Sequence, residues 1–320
     1  MSPEITPEDG EHLHRLRPLA RYQESVSSAL RELAQPHVQT AEHITMLPDD
    51  PESHPSQKIT HVYRDGTPAD AETIAAIATA SNPNFPDMVS ELSDLEFHQK
   101  EMSRSLEFLA SGGNIVIATN HGDIRDIAEA LAAYHVGLRQ TAEEQEVEAD
   151  FATSIMLGKM ITHIAIYGLP AVDTLDNLCD RQFFSFPRTK STENSSLKPF
   201  VVDQYNRALR ALVKRQLSKG GNLFGIALSG TTDKPLQDET DVIGLGRVSK
   251  GTLQIIQSPH TLVLPVAMWR GESDDDSVFE VVDIPRAIRG EEDVHRMMGA
   301  IAGKLSELVD GKDFQYAEAV

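Results

Sequence analysis

Cysteine is almost absent. Cys179 stands alone in 320 residues, which excludes an internal disulfide and thiolate-rich zinc sites and fits a reducing compartment. Basic charge is also scarce: Lys and Arg number 29 against 49 Asp and Glu, a formal net charge of −20. That balance argues against generic nucleic-acid binding and against attraction to an anionic membrane. Any phosphate-bearing substrate must then be drawn by a local basic pocket. No apolar run approaches the ~18–20 residues of a spanning helix. Met1 to Gly10 is acidic and polar rather than basic and then apolar, unlike a secretory leader, so a cytoplasmic setting is expected, with the plastid stroma as the alternative.

What is present suits a folded chain. Hydrophobic residues make up 40% and charged residues 24%, inside the range of globular proteins. From His12 to Leu33, apolar residues recur at three- and four-residue steps and predict an amphipathic helix. The Pro-, Ser- and acid-rich stretch between Leu47 and Gly66 predicts a polar surface loop. Helical patterning resumes over Pro68 to Ala80 and again from Met88, in one long helix closing at Gly112-Gly113. A helical domain over residues 1–85 is therefore expected.

Residues 86–320 read as an α/β domain. Ile115 to Ala118 is a short apolar run between Gly-Gly and Asn120-His121, consistent with a buried strand, and Ile124 to Tyr134 follows at helical spacing. Further on come a helix-like stretch from Leu157, a strand near Ile164 to Tyr167, a helix from Val201 to Leu217 and a strand from Asn222 to Leu228. A helix from Val248 to Gln257, a strand from Thr261 to Ala267, a strand from Val278 to Ile284 and a helix from Glu291 to Val309 complete the chain. The alternation implies a mixed, mostly parallel sheet flanked by helices.

Three segments could carry chemistry. Asn120-His121-Gly122-Asp123-Ile124-Arg125-Asp126 falls where a strand ends and a helix begins, the edge at which open α/β sheets place ligands. Asp126 is close enough in sequence to fold back on His121, making a base with an orienting carboxylate. An N-cap Asp123, a first-turn Asp126 and a plain loop His121 would give the same pattern. Leu228-Ser229-Gly230-Thr231-Thr232-Asp233-Lys234-Pro235 is a second strand end with small residues and one cation. It has neither a Gly-x-Ser-x-Gly elbow nor a Gly-Lys-Ser/Thr phosphate loop, and an ordinary turn fits it as well. Arg188 and Lys190 form a basic pair in Phe186 to Lys190, either a phosphate clamp or solvated surface.

Together these segments resemble the glycerol-3-phosphate acyltransferase branch of the glycerolipid acyltransferase family, and most closely its soluble, chloroplast-type members. The family's first block, Asn-His-x4-Asp, is matched by Asn120 to Asp126. Its Pro-Ser-Gly-Gly-Arg-Asp-Arg-Pro block is matched by Leu228 to Pro235, with Thr232 and Lys234 where the family has arginines. Arg188 and Lys190 answer its basic segment, and Thr261 to Met268 its late apolar block. The resemblance spans roughly residues 88 to 310. It implies an N-terminal helical bundle joined to a larger α/β domain.

It also implies transfer of a fatty acyl group from a thioester to glycerol 3-phosphate, giving lysophosphatidic acid for phospholipid synthesis. His121 would be the base and Asp126 its orienter. Arg188, Lys190, Ser229, Gly230, Thr231, Thr232 and Lys234 would bind substrate. No cofactor or metal is implied beyond an acyl carrier protein or coenzyme A as the co-substrate carrier. Product would leave at a transient membrane contact. An acidic carrier needs a basic surface, for which Arg15, Arg17 and Arg21 or the Arg207-Arg210-Lys214-Arg215 helix are candidates, although a solvated helix face gives the same pattern. Two other readings stand beside this one. His121, Asp123 and Asp126 could hold Mg or Mn in a phosphohydrolase, or the chain could bind acyl chains or an acyl carrier without turnover.

Overall fold

The computed structural model describes residues 63–65, 69–94, 96–122, 126–158, 174–175, 177–185, 199–229, 233–236, 239–270 and 278–316. The chain forms an α/β fold on a seven-stranded sheet. Its strands are β1 (Tyr63–Asp65), β2 (Asn114–Thr119), β3 (Ala152–Gly158), β4 (Arg181–Ser185), β5 (Asn222–Ala227), β8 (Thr261–Trp269) and β9 (Val278–Val281), in the order β1-β4-β3-β5-β2-β8-β9. The five inner strands run parallel and both edge strands antiparallel. A second, three-stranded sheet joins β6 (Lys234–Leu236), β7 (Glu239–Leu245) and β10 (Asp313–Tyr316).

Helices α1 (Ala71–Ser81), α2 (Phe85–Asp94), α3 (Glu96–Ala110), α4 (Asp126–Glu144), α5 (Pro199–Leu217), α6 (Lys250–Ile256) and α7 (Glu291–Leu308) pack around the larger sheet. Asp70 caps α1 by accepting a hydrogen bond from Thr73 N, and Gly112, at φ +86°, ends α3 in the left-handed conformation that glycine favours. The core follows from the strands. Ile115, Val116, Ile117 and Ala118 of β2 are wholly buried on both faces, as a central parallel strand requires.

Several elements differ from the sequence reading. The expected long helix from Met88 is two helices, α2 and α3. Leu157 lies within strand β3 instead of opening a helix. Thr153 and Ser154 interrupt the apolar pattern there, yet both are buried; Thr153 N donates to Asp180 and its hydroxyl pairs with His135 Nδ1 at 2.8 Å. Strand β4 was not expected. Neither was β1, which begins within the supposed polar loop and pairs with β4 at the sheet edge. Helix α1, on the N-terminal side of residue 85, packs against α4 of the sheet unit. The helix expected over His12 to Leu33, its bundle, and the strand near Ile164 lie outside the described residues.

Register at the far edge of the sheet is fixed by buried amides. Asn222 Nδ2 donates to Asn114 Oδ1 at 3.0 Å, Gln216 Nε2 donates to Asn222 Oδ1 at 2.8 Å, and Asn114 Nδ2 donates to Leu217 O at 2.9 Å. These bonds join the starts of β2 and β5 to the end of α5. Because a one-residue slip would reverse every side chain, they also set what meets at the opposite edge. Truncating Asn222 to Ala should strand these buried groups and cost about 1–3 kcal/mol in chemical denaturation; an unchanged midpoint would show that the amides do not hold the register.

The helix-to-sheet contact is also titratable. Burial, reinforced by the nearby Arg139 charge, holds the His135 pKa down to about 3, against an ordinary value of about 6.5. The unfolded chain therefore binds a proton that the folded chain refuses. The neutral imidazole's stabilisation is complete above about pH 6.5 and is lost as pH falls, by about 1.4 kcal/mol per unit until the folded pKa is reached. Denaturation at pH 7 and pH 5 should show that His135→Gln loses this part of the slope; equal slopes would contradict it.

Candidate functional site

The site forms where β2, β5 and β8 end side by side. Leu228 N donates to Thr119 O at 2.9 Å, which carries the chain beyond β5 alongside the end of β2. Asn120, 1% exposed, then secures the corner. Its Oδ1 accepts from Met268 N at 2.8 Å, and its Nδ2 donates to Met268 O and to Asp233 Oδ2, both at 2.9 Å.

Asp233 completes the clasp around His121. His121 N donates to Asp233 Oδ2 at 3.0 Å, Asp233 N donates to His121 O at 2.7 Å, and Gly246 N donates to Asp233 Oδ1 at 3.2 Å. Burial raises the Asp233 pKa, while these donors and the His121 charge oppose that rise. The backbone of His121 is thus fixed from both sides, and its imidazole is half-buried.

Asp126 opens helix α4 and is 1% exposed. At Gly122, a Cβ atom would lie 3.3 Å from Asp126 Oδ2, so the carboxylate abuts the residue beside His121. The absence of a side chain at 122 permits this approach. Across the carboxylate, Arg270 Nε lies 4.0 Å from Asp126 Oδ1, and Arg270 also pairs with Glu129 one helical turn along α4. Asn82, between α1 and α2, donates to Glu129 Oε2 at 3.0 Å. The guanidinium is thereby held between two buried carboxylates. Paired in this way, buried charges avoid the large desolvation cost of isolated ones.

The structure brings Asp233 of the second candidate block against the His121 backbone and Asp126 against Gly122. Ser229 is buried two residues beyond β5, and Lys234 is exposed on β6, next to Asp233. Arg188, Lys190, Gly230, Thr231, Thr232 and Asp123 lie outside the described residues. Sequence reasoning missed Asn82, Glu129 and Arg270. Glu129 carried a signal, since it stands three residues after Asp126 and so on the same face of α4. Asn82 and Arg270 gave none. Among the described residues, no group of three or more His, Cys, Asp and Glu could hold a metal ion, and no helix is long and apolar enough to cross a membrane.

Chemically, a half-exposed imidazole on a fixed turn can exchange a proton with a ligand at the sheet edge. No family model matches the chain, and no curated protein matches it. Removing the shared cation should expose the cost of this arrangement. Arg270→Met leaves Asp126 and Glu129 as neighbouring buried charges and should destabilise the fold by about 3–5 kcal/mol, read by urea denaturation. A loss below about 1 kcal/mol, the scale of an exposed pair, would mean that the guanidinium is not their counter-charge.

Proposed function

We propose that the chain is a glycerol-3-phosphate acyltransferase that uses an acyl thioester as donor. The observation that carries the reading is the approach of the Asp126 carboxylate to the His121-Gly122 turn, at the end of β2. His121 takes the proton from the acceptor hydroxyl as its oxygen attacks the thioester carbonyl carbon. The C–S bond breaks, and the imidazolium returns its proton to the leaving sulfur. Asp126 orients the ring and stabilises its charged form, while Arg270 and Glu129 hold Asp126 in place.

Binding and positioning come from the loops around this dyad. Lys234, Arg188 and Lys190 hold the acceptor phosphate, and Ser229, Gly230, Thr231 and Thr232 surround it with small polar groups. Backbone N–H groups of the Ser229-Gly230 turn stabilise the thioester oxygen as negative charge develops on it. Sheet side chains and an N-terminal helical bundle line the acyl groove. The reading carries with it a cytoplasmic setting, either acyl carrier protein or coenzyme A as acyl carrier, and product release at a transient membrane contact.

Arg270 also favours acid–base chemistry over metal ligation. A guanidinium already beside Asp126 repels a divalent cation at the same carboxylate. Thiol release from acyl-CoA and acyl-carrier donors, with and without glycerol 3-phosphate, tests the proposal. Release should depend on the acceptor and survive chelator, and should fall by about 10²–10⁴ in His121→Ala. Normal turnover in that variant would overturn the assignment. Phosphate release restored by Mn or Mg after chelation would establish the phosphohydrolase, and thioester binding without turnover would establish a carrier-binding protein.

A further inference from the structure

Carboxylates are spread along most of this acidic chain, but the two longest stretches without one stand out. Gln204 to Thr232 is 29 residues without Asp or Glu, and Val242 to Gly271 is 30. At the chain average these stretches together would hold about nine carboxylates. They hold instead eight of the 29 cations: Arg207, Arg210, Lys214, Arg215, Lys219, Arg247, Lys250 and Arg270.

The fold packs the two stretches together. Helix α5 lies against α6, and Arg210 Cδ is 3.0 Å from where a Cβ would stand on Gly251, so its stem runs over the start of α6 beside Lys250. Arg207, Lys214, Arg215, Lys219, Arg247 and Lys250 are all exposed. Among the described residues, none of these six is held in an ion pair. Arg207, Arg210 and Lys214 share one face of α5 by their spacing. A cavity of about 350 Å³ opens beside Arg247 and Lys250; Leu253, His295 and Tyr316 also line it, as does one carboxylate, Glu291. It begins one residue after Gly246, which binds Asp233 of the His121 clasp.

We infer that the α5–α6 face docks a small acidic protein, the carrier that presents the acyl thioester. The inference rests on the acyl-transfer reading for what the partner carries, whereas the partner's charge follows from the surface alone. From Arg207 to its end at Leu217, α5 runs about 15 Å, with Lys219 just beyond it, about the width of one face of a small protein. An extended polyanion or a membrane would overrun the patch onto a surface whose net charge repels it. A compact partner with acidic residues on one side matches the patch. Its encounter is steered by charge and weakens as salt rises.

The test compares the full chain with an Arg207→Glu/Lys214→Glu variant, at two exposed positions away from the His121 clasp. The probe is palmitoyl-loaded acyl carrier protein, with binding followed by fluorescence anisotropy at low and high salt. Binding should be salt-sensitive and weaken about tenfold or more in the variant. KM for the palmitoyl carrier should rise in step, while kcat/KM for palmitoyl-CoA stays unchanged. Undiminished carrier binding by a folded variant overturns the surface, as does no binding by the full chain. Tighter binding to phosphatidylglycerol vesicles or single-stranded DNA, lost in the same variant, also overturns it. If the Glu variant fails to fold, the Arg207→Gln/Lys214→Gln pair should show a smaller loss of the same kind, and no loss there overturns the surface. Carrier binding without transfer from either donor would remove the acyltransferase reading and leave the surface standing. Transfer from palmitoyl-CoA without carrier binding would do the reverse.

Discussion

One side chain holds the site edge together. Asn120 follows the last residue of β2 and is buried, so its amide must find its partners within the protein. It does so by bonding to both backbone groups of Met268, at the end of β8, and to Asp233, beyond β5. Strand ends separated by more than 100 residues in sequence are thereby joined at one corner. The turn bearing His121 has its shape because this corner is closed. A hydrophobic residue would leave the Met268 N–H and C=O unpaired, while a longer amide would displace the Asp233 contact.

Charge is the second organising constraint. Helix α4 begins beneath the site with two carboxylates, Asp126 and Glu129, both removed from solvent. Near a helix N-terminus such groups are favoured, but that effect is small beside the cost of burying two negative charges. Arg270 supplies the cation, and Asn82 supplies a neutral donor that fixes Glu129 without adding charge. The network ties α4 to the end of β8 and to the α1–α2 junction, so the carboxylate beside His121 is stiffened from two directions. Among the described residues, the α5–α6 face gathers exposed cations on this acidic chain, which sets where a negatively charged partner can approach.

Much of the fold was legible because its signals are local. The apolar run of β2, the helical spacing after it, the α5 and α7 stripes and the β8 segment each record burial in adjacent residues. Strand β3 was obscured because Thr153 and Ser154 are buried polar groups whose partners, His135 and Asp180, come from other elements. Strands β1 and β4 lie at or next to an edge and are too short to show a period. The His121-to-Asp126 spacing was legible as a candidate because it lies on a strand-to-helix turn. Its setting was not, since Gly122 reads as a turn residue until the Asp126 carboxylate is seen against it.

By itself, then, the sequence determined an acidic α/β chain with little cysteine and a histidine in the turn after a buried strand. Hydrophobic periodicity and turn chemistry act over a few residues, so one dimension is enough to express them. Tertiary structure decided which distant residues complete the corner: Asp233 clasping His121, Arg270 between Asp126 and Glu129, Asn82 on Glu129, and two carboxylate-free stretches side by side. Parallel strands align ends that are far apart along the chain. The pairing of their polar groups depends on strand order and register, which no local pattern encodes.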